Sequence, residues 1–95
     1  MNSLANDSNR RRILLVDDDP TLRETLAEQL GFHEEYTVSE AENGSEAMKL
    51  ADADHFDAIV LDVGLPDMDG RDLCKLMRRR GLKAPSIMLN GQDRD

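Results

Sequence analysis

The chain has 95 residues and a net charge of −8 at pH 7, with 34% of its residues charged. This length suits one small domain, and the acidic balance argues against a surface that binds nucleic acid, because contacts with phosphate backbones need clustered cations. The one cysteine, Cys74, rules out an internal disulfide, and every apolar run is far too short to span a membrane. We therefore expect a cytoplasmic protein.

Short apolar runs alternate with helical patterns along the chain. Residues 1–10 are polar, and we expect them to form a disordered leader. Residues 13–16 are apolar throughout and predict a strand that is buried on both faces. Asp19 and Pro20 are typical of the start of a helix, and leucines spaced four residues apart predict that this helix continues to Gly31.

The rest of the chain repeats this alternation. Residues 36–41 are more polar and predict an edge strand, and residues 45–53 predict a short helix after an Asn-Gly turn. Residues 58–61 are again apolar and predict a third, buried strand. Residues 73–80 predict a third helix, whose arginine-rich end suits the helix dipole, and residues 86–89 predict a fourth strand. This order predicts an α/β fold in which helices cover both faces of a parallel sheet.

Acidic residues follow two of the predicted strands. Asp17 and Asp18 come directly after the first strand, and Asp62 comes after the third. Such sheets bind ligands beyond the carboxyl ends of their strands, so these side chains converge if the two strands are neighbours. Clustered carboxylates repel each other unless a cation neutralises them, and Mg²⁺ commonly combines one or two carboxylates with a phosphate oxygen. The sequence therefore predicts a site for Mg²⁺-assisted phosphoryl transfer, with a carboxylate as the nucleophile.

Three segments at this spacing resemble the receiver domain of bacterial response regulators. They are ILLVDDDP at residues 13–20, DAIVLD at residues 57–62 and GLPDMDG at residues 64–70. The resemblance implies a flavodoxin-like fold with strand order 2-1-3-4. It also implies a role in two-component signal transduction, in which a sensor histidine kinase or a phosphotransfer protein supplies a phosphoryl group. Receivers promote their own phosphorylation and dephosphorylation, so we do not expect a conventional enzyme.

The resemblance implies a role for each residue of the site. Asp62 matches the phospho-acceptor, Asp18 the direct Mg²⁺ ligand, and Asp17 the neighbour that holds the ion through water. Gly64 lies where the family supplies a backbone carbonyl to the metal. Asn90 stands where the family has Thr or Ser, whose hydroxyl bonds the phosphoryl group. Because an amide differs from a hydroxyl in length and geometry, we expect a weakened switch.

Compared with the family pattern, we expect residues 11–95 to form a receiver domain that lacks the usual last helix, strand and helix. The missing strand normally carries a lysine that pairs with the phospho-aspartate. Without these elements, the fourth strand is an open apolar edge, which is a template for pairing with another chain. We therefore expect either self-association through this edge, as a homodimer or by domain swapping, or marginal folding.

The sequence leaves two alternative functions open. In the first, the chain is a binding module that pairs with a kinase or another receiver without switching, so that Asp62 takes no phosphate. In the second, Asp17 and Asp19 form the Asp-x-Asp-x-Thr motif of haloacid-dehalogenase-type phosphatases, with Asp17 as the nucleophile. The second alternative leaves Asp62 unexplained, and the chain offers no good candidate for the lysine and further acidic pair that such enzymes need.

Overall fold

The computed structural model describes residues 10–89, in which strands and helices alternate as predicted. The strands are β1 (Arg11–Val16), β2 (Tyr36–Ala41), β3 (Ala58–Asp62) and β4 (Ser86–Leu89), and the helices are α1 (Pro20–Gly31), α2 (Gly44–Ala53) and α3 (Gly70–Arg79). β1 begins before the predicted apolar run because Arg11 and Arg12 also pair with β2. Most of the predicted leader and Asn90 lie outside this range. None of the helices between residues 10 and 89 is long and apolar enough to cross a membrane.

The strands form one parallel sheet in the order β2-β1-β3-β4, which confirms the predicted strand order. In the central strand β1, Val16 is paired with Ala41 of β2 on one side and with Leu61 of β3 on the other. β2 is an edge strand, in agreement with its more polar sequence. Because β1 and β3 are parallel neighbours, the residues at their carboxyl ends lie side by side at one edge of the sheet.

The hydrophobic core lies between the sheet and the helices α2 and α3. Leu14, Val16 and Leu61 are fully buried, and Leu73 and Met77 of α3 belong to the same cluster. The apolar run at the end of β1 is buried on both faces because helices cover both sides of the sheet. The core thus fixes the central strands from which the acidic residues emerge.

The opposite face of the sheet is covered by α1 and is more open. No residue of α1 is buried, and a groove of about 410 Å³ between this helix and the sheet is lined in part by Leu30, Val60 and Ile87. The Ile87 residue, on β4, is 57% exposed. Within residues 10–89, β4 pairs with β3 and has no strand on its other side. An open apolar edge is therefore present in the described part of the chain.

Candidate metal centre

Three carboxylates meet at the edge of the sheet where β1 and β3 end. Asp17 and Asp18 follow β1, and Asp62 is the last residue of β3. One oxygen atom from each of the three side chains lies within 4.8 Å of the others. The structure therefore brings together the acidic residues that the sequence singled out. Hard oxygen donors grouped in this way suit a divalent cation such as Mg²⁺.

Asp17 is the buried member of the cluster, with only 2% of its surface exposed. Its backbone N–H donates a hydrogen bond to the Ala41 carbonyl at 3.0 Å, and its Oδ1 accepts one from the N–H of Asp19 at 2.9 Å. Its carbonyl oxygen accepts a third from Nη1 of Arg23 at 2.8 Å. Burial raises the pKa of the Asp17 carboxyl above its ordinary value, the Asp19 N–H lowers it, and the neighbouring carboxylates raise it further. A bound cation would offset both the burial and the repulsion.

Asp19, the third acid of the run, has a different task. Its carboxylate accepts hydrogen bonds from the N–H groups of Thr21 and Leu22, at 3.0 and 3.3 Å, and caps the start of α1. Pro20 occupies the first helical position, where its lack of an N–H costs nothing. Because Asp19 supplies the cap, Asp17 and Asp18 remain available to the cluster.

The loop after β3 folds back onto the strand end because Gly70 has no side chain. The Gly70 N–H donates to the Val63 carbonyl at 2.7 Å, and a Cβ on Gly70 would overlap the carbonyl oxygen of Asp62. Gly64 pairs with Asp69 across the same loop in an isolated antiparallel bridge. This close approach fixes the backbone on which the Gly64 carbonyl was predicted to face a metal.

Substitution of Gly70 by Ala is expected to destabilise the domain by about 1–3 kcal/mol, as for other overpacked sites. The reason is that the clash involves the backbone of Asp62, which cannot rotate away. Urea unfolding followed by circular dichroism measures the loss. Gly31→Ala is the matched control, since an added Cβ there meets nothing within 4 Å. An unchanged urea midpoint for Gly70→Ala would show that the loop relaxes freely.

The same loop is tied to the start of α2 by Asp67. Its carboxylate accepts hydrogen bonds from the N–H groups of Gly44 and Ser45, at 2.8 and 2.9 Å, and these bonds lower the pKa of Asp67. The Met68 side chain occupies the space that a Cβ on Gly44 would need. This contact was not predicted from the sequence, because Asp67 and Gly44 are 23 residues apart. It anchors the loop to a second helix.

Asp69 completes the loop as the cap of α3. Its side chain accepts a hydrogen bond from the Arg71 N–H at 2.8 Å and forms an ion pair with the Arg71 guanidinium at 2.9 Å. These contacts lower the pKa of Asp69 to about 2. The carboxylates of Asp67 and Asp69 therefore bond the starts of α2 and α3. Asp62 is the acid that joins the cluster from β3.

Asn90, the residue predicted at the Thr or Ser position, lies outside the described residues. Its role, and the weakened switch expected from it, stay predictions. Gly64 is placed in the loop beside the cluster, but its expected contact with a metal is likewise a prediction.

Comparison with known proteins identifies relatives of nearly the whole chain. A family model described as the response regulator receiver domain matches residues 13–95. The response regulator MprA of Mycolicibacterium vanbaalenii is 43% identical over 82 residues, which cover 86% of this chain and 35% of that protein. The chain thus spans about a third of the length of this relative.

Solved structures show the same similarity. The non-phosphorylated HemR receiver domain from Leptospira biflexa is 41% identical with a TM-score of 0.79, over 87% of this chain and 66% of that one. TrrA from Thermotoga maritima, in a complex with Mg²⁺ and BeF, is 35% identical with a TM-score of 0.77, over 88% and 74% of the two chains. TrrA is also known in complex with the histidine kinase ThkA, where the match is 38% identical with a TM-score of 0.77, over 84% and 68%.

Proposed function

The chain belongs to the response regulator receiver domain family, and from this premise we propose that Asp62 accepts a phosphoryl group from a sensor histidine kinase with the help of Mg²⁺. The observation that carries the proposal is the convergence of three carboxylates within 4.8 Å at the ends of β1 and β3. The mutual repulsion of these carboxylates opposes folding unless a cation binds.

Asp62 is the member of the cluster best suited to act as nucleophile. It is half-buried, so that one oxygen can face an incoming donor while the strand below it stays packed. One oxygen of Asp62 would form the new bond to phosphorus as the bond between phosphorus and the donor histidine nitrogen breaks. Asp62 also lies at the end of a strand fixed by the core, which holds the nucleophile in place.

The neighbouring acids do not offer the same opportunity. Asp17 is buried, and one of its oxygens already accepts the Asp19 N–H. Asp19 is occupied in capping α1. The phosphatase alternative needs Asp17 as an accessible nucleophile and Asp19 as a free acid or base, and this geometry favours neither role.

Mg²⁺ fits the site because all candidate ligands are hard oxygen donors. Asp17, Asp18 and Asp62 would hold the ion, together with the backbone carbonyl of Gly64. When bound, Mg²⁺ neutralises the carboxylates and the oxygens of the transferred phosphoryl group. The exposed Asp18 leaves one side of the site open to solvent and donor, while the buried Asp17 is held rigid below. The complex of the relative TrrA with Mg²⁺ and BeF supports this assignment.

The test is intact-mass spectrometry of the chain after incubation with a small-molecule phosphodonor, with Mg²⁺ or with excess chelator. We expect one added phosphoryl group in Mg²⁺ and none with chelator, with the modified peptide containing Asp62. Circular dichroism of the same samples verifies the fold. A folded chain that takes no phosphoryl group would favour the alternative of a non-switching binding module.

The proposed partner is a sensor histidine kinase or a phosphotransfer protein, supported by the complex of TrrA with ThkA. A cytoplasmic location belongs to the same proposal. The single cysteine, Cys74, is a free thiol, and reduced thiols are typical of that compartment.

We propose a second copy of the chain as a further partner, docked at the β4 edge. The exposed Ile87 residue on β4 borders an apolar groove, and unpaired strand edges favour pairing with another chain. Sedimentation velocity at increasing concentration is expected to show a dimer that Ile87→Lys weakens. Leu76→Lys is the control, since Leu76 is exposed on α3 and does not line this groove. A monodisperse monomer at every concentration would contradict this part of the proposal.

A further inference from the structure

We infer that Arg23 is a positioning residue for the carboxylate cluster and that it holds Asp17 and Asp18 in the geometry that binds Mg²⁺. The inference rests on the proposed function. Arg23 lies in the first turns of α1, and its side chain is only 14% exposed. Its Nη1 donates to the carbonyl oxygen of Asp17 at 2.8 Å, and its Nε donates to Oε1 of Glu40 at 3.1 Å. Arg23 therefore joins α1 to the ends of both β1 and β2.

The bond to Asp17 closes a ring of hydrogen bonds around the turn between β1 and α1. The Asp19 N–H donates to Oδ1 of Asp17, and the Arg23 N–H donates to the Asp19 carbonyl at 2.9 Å. The guanidinium then returns to the Asp17 carbonyl. Asp18 lies inside this ring, so its exposed carboxylate projects from a turn that is fixed on both sides. A ligand on such a turn is preorganised for its metal.

The planar guanidinium group of an arginine is suited to this role. Its Nε and Nη1 donate in fixed directions, which allows one side chain to bond Glu40 and Asp17 at once. A lysine has a single ammonium group on a flexible side chain and cannot donate to Glu40 and Asp17 in two fixed directions. The ion pair with Glu40 is partly exposed and contributes little by itself. Its role is to aim the guanidinium at Asp17.

Positioning and simple electrostatics predict opposite results when Arg23 is removed. A positive charge near the cluster repels Mg²⁺, so loss of that charge alone would tighten metal binding. Loss of the hydrogen bond to Asp17 would loosen the turn and weaken binding. Substitutions of residues that orient metal ligands commonly cost 10–100-fold in affinity. We therefore expect Arg23→Met to weaken Mg²⁺ binding by about tenfold.

The experiment is a calorimetric titration of the chain with MgCl₂ alone, so that no phosphoryl transfer is required. Arg23→Lys is expected to lose less affinity than Arg23→Met, because the ammonium group can still donate one hydrogen bond. Glu40→Gln is expected to bind nearly as tightly as the parent, since the amide oxygen can accept from Nε. Arg79→Met is the matched control, because Arg79 is exposed on α3. Circular dichroism in metal-free buffer reports whether each variant is folded.

A second measurement separates positioning from general destabilisation. With a small-molecule phosphodonor, raising the Mg²⁺ concentration is expected to restore most of the phosphorylation rate of Arg23→Met. A folded Arg23→Met or Arg23→Lys variant with parental or tighter Mg²⁺ affinity would overturn the inference. If Arg23→Met is unfolded, the Mg²⁺ affinity of Arg23→Lys decides whether Arg23 is a positioning residue. Absence of Mg²⁺ binding by the folded parent would overturn the proposed metal site and this inference together, whereas binding that Arg23 does not influence would overturn the inference alone.

Discussion

Replacement of Asp62 by Asn is expected to abolish phosphoryl uptake and to leave the domain folded. The amide oxygen of Asn is a far weaker nucleophile than a carboxylate, but the two side chains have nearly the same shape. The change also removes one of three carboxylates that lie within 4.8 Å of one another. Since their repulsion opposes folding when no cation is bound, the variant should unfold at a higher urea concentration than the parent in the presence of a chelator.

Intact-mass spectrometry after incubation with Mg²⁺ and a small-molecule phosphodonor measures the first effect, and urea unfolding measures the second. Asp72→Asn is the control, because Asp72 is exposed on α3 and outside the cluster. Continued phosphorylation of Asp62→Asn would assign the acceptor to another carboxylate. If the modified peptide then contained Asp17, the phosphatase-like use of Asp17 would regain support.

The central part of the fold was predictable because its signals are local. The apolar run before Asp17 and the one before Asp62 each predict a buried strand, and strand ends are where ligands of parallel sheets bind. Asp19 was recognisable as a helix cap from Pro20, which follows it. The cluster itself followed from placing the two strands as neighbours, which the structure confirms.

The contacts that steady the cluster were not predictable because they join distant parts of the sequence. Arg23 reaches Glu40 across 17 residues, and Asp67 reaches Gly44 across 23. Arginines and aspartates on the surface are usually solvated, so residue type alone does not reveal such pairs.

The start of β1 was missed for a similar reason. Arg12 looks like part of a solvated basic run, yet its backbone pairs with β2 and its guanidinium lies 5.8 Å from the centre of the Phe56 ring. Its N–H also donates to the Asp57 carboxylate at 2.7 Å. Tertiary partners, which local sequence does not specify, extend the strand past its apolar residues.

Mg²⁺ is expected to stabilise the domain against urea, and Asp18→Asn is expected to remove most of that gain. A ligand that binds only the folded state adds about 2.7 kcal/mol to the free energy of unfolding at 100 times its dissociation constant. The unfolded chain has no preformed cluster, so Mg²⁺ should favour the folded state in this way. Because Asp18 is exposed, its replacement by Asn removes a charged metal ligand without loss of packing.

Urea unfolding at several Mg²⁺ concentrations measures this dependence, and the adjacent Asp19 provides the matched control. Asp19→Asn keeps a good helix cap and should retain the full Mg²⁺ dependence. The Asp19 side chain bonds the start of α1, and its contact with Asp17 is through the backbone N–H, which the substitution leaves in place. Equal Mg²⁺ dependence in the parent and in Asp18→Asn would show that the ion is held without Asp18. If Asp19→Asn lost the Mg²⁺ dependence instead, Asp19 would be the metal ligand. The two neighbouring aspartates thus separate metal binding from helix capping, although both follow the same strand.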